Sequence, residues 1–158
     1  MKSLVVYFTP YDGNTKLLAE KVALLAKADI YRIEPVNPYP EDYFECNRRA
    51  RAEYEANARP EIKGPLPSLN AYDVIYLGFP NWYRSYPKVV ATFLDNVSLA
   101  GKIVKPFCTN EEGGFGIGEL QLRSALKDSV VKNGFSSKSE DVPNKDEELA
   151  SWIEKEEE

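Results

Sequence analysis

The residues of this chain best suited to chemistry fall in three short stretches, each at the end of an apolar run. The first is FTPYDGNT, where Thr9, Tyr11, Asp12, Gly13, Asn14 and Thr15 follow SLVVYF. Gly13 permits a tight turn, Asn14 and Thr15 can cap the next helix, and unpaired N–H groups at such a helix start point outward. Hydroxyls and amides around a helix N-terminus suit a phosphate, although an ordinary capped helix uses the same residues. The second stretch, GFPNWYRSYP, places Pro80, Asn81, Trp82 and Tyr83 where the chain should meet water. Two adjacent rings at a ligand mouth would stack on a flat ring system, and a core lining or partner surface would also employ them. In the third, CTNEEGGFGIG, Thr109 and Asn110 offer hydrogen bonds, Gly113 and Gly114 allow close backbone approach, and Phe115 could pack beside a ring. A flexible connector is the alternative for that loop.

Counts narrow the chemistry further. The chain contains no histidine, which removes Ser-His-Asp and Cys-His catalysis and imidazole zinc sites. Cys46 and Cys108 are isolated, with no CxxC, and read as free thiols of a reducing cytoplasm. No GxxxxGK[ST] is present, and GGFGIG is mis-spaced for a dinucleotide fingerprint. The net charge of −5 is concentrated at the end, where residues 140–158 hold nine acids and two lysines. A nucleic-acid partner wants a basic face and is not expected. No signal peptide is recognisable, no apolar stretch is long enough to span a bilayer, and no metal site is expected.

The elements that must position these loops follow from the apolar patterning. Strands are expected at 3–8, 29–36, 73–80 and 102–109, with a weak fifth near VVKNGFS. Helices are expected at 14–28, 41–59, 87–97, 118–130 and 146–158. The arginines at 48, 49 and 51 read as a solvated face of the second helix, paired with Glu45, Glu53 and Glu55, and docking of an acidic redox partner or a phosphate is the alternative. Strand alternating with helix implies a parallel sheet covered on both faces, here as one domain over 1–158. Ligands of such sheets bind beyond the carboxyl ends of the strands, which puts the three loops at one edge.

On the segments FTPYDGNT, ARPEI, YLGFPNWYRSYP and PFCTNEEGGFG, the chain resembles the flavodoxin family, and the likeness runs through essentially its whole length. The resemblance implies a short-chain, flavodoxin-like α/β fold: a three-layer α/β/α sandwich around a five-stranded parallel sheet in order 2-1-3-4-5, binding FMN non-covalently. By motif position, Thr9, Gly13, Asn14 and Thr15 would hold the phosphate, and Asn81, Trp82 and Tyr83 would flank the isoalloxazine. Thr109 and the backbone of Gly113–Phe115 would contact its other side or its pyrimidine edge. Tyr11, Asp12, Pro80, Asn110 and Gly114 belong to the same loops and are expected in the site. The phosphate loop is one residue longer than the family's usual form, and Asp12 stands where a hydroxyl is expected. Its carboxylate must point away from a phosphate to be tolerated.

The resemblance further implies redox chemistry without a catalytic side chain. An electron carrier between protein partners is the leading expectation, with re-orientation of the Asn81–Trp82 peptide near the flavin as its aid. An FMN-dependent NAD(P)H:quinone-type reductase, acting on a quinone-like small molecule, is the alternative. A binding module that has lost the flavin is the third.

Overall fold

The computed structural model describes residues 1–111, 114–116 and 118–156. Runs of β-branched and aromatic residues become strands: β1 (Ser3–Tyr7), β2 (Asp29–Arg32), β3 (Val74–Pro80), β4 (Ile103–Asn110), β5 (Val130–Val131) and β6 (Phe135–Lys138). The helices are α1 (Asn14–Ala26), α2 (Tyr43–Ala56), α3 (Lys88–Asn96), α4 (Gly118–Ala125) and α5 (Asp146–Glu156), with a 3-10 turn at Ser139–Asn144. All strand pairs are parallel, in the order β2-β1-β3-β4-β5, and β6 also pairs with β4. The weak fifth strand of the sequence is thus two pieces beside β4, interrupted at residues 132–134.

Alternation along the strands sorts side chains onto two faces. Leu4, Val6, Ile75, Leu77, Phe79 and Val104 share a core with Val89, Val90 and Phe93 of α3 and Leu122 of α4. Val5, Tyr7, Val74, Tyr76 and Phe107 pack instead with Leu18, Ala19 and Val22 of α1 and Leu149, Trp152 and Ile153 of α5. The result is the expected three-layer sandwich. Register brings the carboxyl ends together, because Tyr7 lies opposite Gly78, Pro80 opposite Thr109, and Asn110 opposite Lys138.

The boundaries differ from the sequence expectation in three informative places. Helix α2 starts two residues late, at Tyr43, because Asp42 caps it by accepting from the Glu45 N–H at 2.9 Å. Helix α4 stops at Ala125 rather than 130, since Val130 is drawn into the ladder opposite Ile103. The 3-10 turn was not expected from the sequence. It carries Pro143 and buries Val142 against the α1 side of the sheet.

Candidate functional site

A cavity of about 510 Å³ opens at the carboxyl edge of the sheet, between the ends of β1, β3 and β4 and the start of α2. Its floor is built by threonines. Thr9, Thr15 and Thr109 are 5%, 6% and 2% exposed and all line it. The hydroxyls of Thr15 and Thr109 lie 2.6 Å apart, and Thr9 Oγ1 donates to the Tyr11 carbonyl at 2.7 Å. Asn14 and Thr15 do not cap α1 as expected; they are its first two residues, and Gly13 is the N-cap. Gly13 offers no side-chain cap, and the first helical bond runs from Leu17 N–H to the Gly13 carbonyl. The amides of Asn14, Thr15 and Lys16 therefore precede the helical ladder, and Gly13, Asn14 and Thr15 form cavity wall.

Asp12 is turned outward. Its carboxylate accepts from Arg32 Nη1 at 2.7 Å and from Lys16 Nζ at 3.4 Å, and the residue does not line the cavity. The hydrogen bond from the Arg32 guanidinium, followed by its charge, holds the Asp12 carboxyl below the usual range. Asp12 thus directs its charge to Arg32 of β2 and Lys16 of α1, outside the cavity. Tyr11 does line the cavity, with its ring largely exposed at the rim.

The second loop is pinned from three directions. Asn81 N–H donates to the Thr109 carbonyl at 2.8 Å, and Asn81 Nδ2 donates to the Gly114 carbonyl at 2.5 Å. Trp82 and Ser85 exchange backbone bonds of 3.0 and 3.1 Å around Tyr83 and Arg84, whose φ angles are 53° and 64°. Such a mirror-image turn ordinarily takes glycine or asparagine, and each left-handed residue costs about 1–2 kcal/mol. Contacts on both sides hold it. Tyr83 stacks on Tyr54 with centroids 5.3 Å apart, and its hydroxyl donates to Asn47 Oδ1 at 3.0 Å. Gly116 lies so close that a Cβ would stand 2.5 Å from the Arg84 carbonyl oxygen. The Trp82 N–H, on the Asn81–Trp82 peptide expected to re-orient, is already bonded to Ser85.

In the third loop Asn110 is buried and lines the cavity, while its Nδ2 donates to the Ser137 carbonyl at 3.2 Å. Phe115 departs from expectation. It is buried against Phe79, ring centroids 6.1 Å apart, and belongs to the core rather than to the cavity wall. Gly114 also lies off the wall and serves by its carbonyl, which holds Asn81. Gly113 falls outside the described residues. Pro80, Asn81, Trp82 and Tyr83 do line the cavity.

Sequence reasoning missed one wall entirely. Pro40, Glu41, Tyr43, Cys46, Asn47 and Ala50 of the α2 entry face the cavity, joined by Glu111 and Ser139. The available signal was Tyr43-Phe44, a neighbouring aromatic pair in an otherwise charged helix, with rings 75% and 73% exposed. Burial raises the Cys46 thiol above its ordinary pKa, and raises that of the deeper Cys108 to about 12.

A family model described as Flavodoxin matches residues 2–156. The chain belongs to the flavodoxin family. Its sheet order and crossovers agree with that fold. A protein from Bacteroides uniformis named as a flavoprotein is 30% identical, with a TM-score of 0.84 and 97% of each chain covered. A second such protein, from Bacteroides eggerthii, is 29% identical at a TM-score of 0.78, covering 94% of this chain and 98% of that one. A flavoprotein in complex with FMN from Lactobacillus acidophilus shares the fold at 21% identity and a TM-score of 0.73, covering 90% of this chain and 97% of that one. Among the described residues of this flavodoxin-family chain, no helix is long and apolar enough to cross a membrane, and no cluster suits a metal ion.

Proposed function

We propose that this chain is an FMN-dependent redox protein, most simply an electron carrier between protein partners. The observation that carries the reading is the start of α1. A cap without a side chain leaves three amides ahead of the helical ladder, beside the buried hydroxyls of Thr9, Thr15 and Thr109. That donor set fits a phosphate dianion, because it combines aligned N–H groups with the positive end of a helix and brings no carboxylate from Asp12. The rings of Trp82 and Tyr83 and the Pro80–Asn81 backbone fit a flat ring system in the same cavity. FMN, when bound, supplies the electron-transfer chemistry, and the protein supplies binding, orientation and electrostatics.

The residues assigned to the phosphate are Thr9, Gly13, Asn14 and Thr15, and those assigned to the ring are Asn81, Trp82, Tyr83, Thr109 and Asn110. Glu41 and Glu111 on the wall oppose added negative charge there, which disfavours reduction and supports a low-potential carrier. Two observations favour the alternative, a reductase passing electrons to a quinone-like molecule. The rings of Tyr11 and Tyr43 stand exposed at the cavity mouth, where a flat acceptor could rest. The Asn81–Trp82 amide is also tied to Ser85 and not free to swing. The free thiols Cys46 and Cys108 suit the reducing cytoplasm, the compartment we assign.

The test is an anaerobic reductive titration of FMN-loaded protein followed by absorption. A long-lived one-electron form at half reduction supports the carrier. Direct two-electron reduction, with steady NADPH oxidation in the presence of a quinone, supports the reductase. Absence of flavin bands after FMN addition overturns both.

A further inference from the structure

Behind the aromatic wall of the cavity lies a partly buried ionic assembly that the redox chemistry itself does not require. Glu53 of α2 accepts from Arg49 Nε at 2.9 Å with one carboxylate oxygen and from the Tyr39 hydroxyl at 2.5 Å with the other. Arg49 Nη1 also donates to the Pro38 carbonyl at 2.9 Å, and its guanidinium lies 3.8 Å above the Tyr39 ring centroid. The Arg49 and Glu53 side chains are 20% and 13% exposed, unlike the neighbouring Arg51–Glu55 pair at 68% and 62%. The Tyr39 ring then meets Trp82 edge to face at 5.2 Å, and Phe8 closes the triangle at 5.4 Å from Tyr39 and 5.5 Å from Trp82.

These contacts form one continuous stack from α2 to the cavity: Arg49, Tyr39, then Trp82. We propose that Glu53 is a positioning residue, clamping Arg49 and Tyr39 so that Tyr39 sets the orientation of Trp82 against the bound flavin. The physical reason lies in the freedom of the parts. A tyrosine ring packed only by its faces can tilt, but one held by its hydroxyl, its face and its edge has a single arrangement. Arg49 adds the loop before α2 to the same unit through Pro38. Trp82 is only half-buried, so its orientation depends on what stands behind it. The inference rests on the proposed FMN site for its consequence, though not for the brace itself.

The two tryptophans make the brace measurable without cofactor, because Trp152 sits across the sheet with Tyr76 and Phe135 and reports any general loosening. Protein labelled with 5-fluorotryptophan is compared by fluorine NMR as wild type, Glu53→Gln, Tyr39→Phe and Glu55→Gln, with FMN affinity measured on each. Expected is a shifted or broadened Trp82 resonance in Glu53→Gln with the Trp152 resonance unchanged, and an FMN Kd raised about tenfold. Tyr39→Phe, which keeps the ring and removes its hydroxyl bond, should move the same resonance less and carries the test if Glu53→Gln fails to fold. Glu55→Gln should change nothing. An unmoved Trp82 resonance in both Glu53→Gln and Tyr39→Phe overturns the brace, as does an equal effect from Glu55→Gln. If wild type binds no FMN, the proposed function falls while the cofactor-free spectra still judge the brace.

Discussion

Thr15 and Thr109, distant in sequence, meet hydroxyl to hydroxyl at 2.6 Å in the buried floor of the cavity. One belongs to the first turn of α1 and the other to the end of β4, so this contact joins the helix start to the sheet edge. Replacing Thr15 by valine keeps the shape and removes the bond. Stability should fall by about 1 kcal/mol, read as a shifted urea midpoint. FMN affinity should fall by about tenfold or more if the hydroxyl also serves the phosphate.

Gly13 offers a sharper version of the same question. Its φ of −159° lies outside the left-handed region that favours glycine, and the nearest obstacle to a Cβ is the exposed Tyr11 ring at 2.8 Å. Gly13→Asp should cap α1 and raise the melting temperature of the cofactor-free protein, by about 1 kcal/mol at most. The same carboxylate would occupy the amides and repel a phosphate, so FMN binding should be lost. A variant stabilised and still binding FMN at wild-type affinity would remove the phosphate from α1.

The turn at Tyr83 and Arg84 holds strain that can be released separately from binding. Arg84 is exposed and does not line the cavity. Arg84→Gly should stabilise the fold by roughly 0.5–1 kcal/mol, the relief of a left-handed residue less the added freedom of the unfolded chain. Equilibrium denaturation would show it as a higher midpoint with an unchanged slope. FMN affinity should stay within about twofold.

Cys46 lines the cavity and Cys108 is buried in the core. Burial raises both thiols, Cys108 to about 12, so alkylation at neutral pH should be slow and Cys108 should react only on unfolding. Bound FMN should shield Cys46. Mass spectrometry of maleimide-treated protein with and without FMN checks this, and equal labelling of Cys46 in both would place FMN elsewhere.

Stability against pH should be asymmetric. Burial raises Tyr7, Tyr31 and Tyr86 above the ordinary tyrosine value of 10.0. Their contribution is whole below that value and is lost as pH rises, because the unfolded phenols ionise first. Asp12 is lowered, so its smaller contribution is present above the ordinary carboxylate value of 3.8 and fades as pH falls. With no histidine in the chain, the melting temperature should be nearly flat between about pH 6 and 8 and decline above about pH 10.

How far the sequence could be read depended on whether the signal was local. Unbroken apolar strands such as VIYLGFP and the GNT at a helix start carry their reading in adjacent residues. The sheet has the expected order, and Gly13, Asn14 and Thr15 line the cavity although Asn14 and Thr15 do not cap the helix. Phe115 follows glycines in a loop at the sheet edge, where an aromatic reads as a ligand contact rather than as core. The slot that buries it is made by Gly134, at which a Cβ would stand 2.3 Å from the Phe115 ring. The Arg49–Glu53 clamp behind the α2 wall is illegible in the sequence for a similar reason. Arg49 and Glu53 have the same composition and spacing as the exposed Arg51 and Glu55, and only the arrival of Tyr39 from the preceding loop separates them.

On the proposed function, the open start of α1 holds the phosphate of FMN. Titrating the cofactor-free protein with FMN and with riboflavin, following flavin fluorescence, tests it most directly. FMN should bind about 100-fold tighter than riboflavin or more, since several charge-assisted bonds are lost with the phosphate. Equal affinities for the two flavins, or no binding of either, would contradict it.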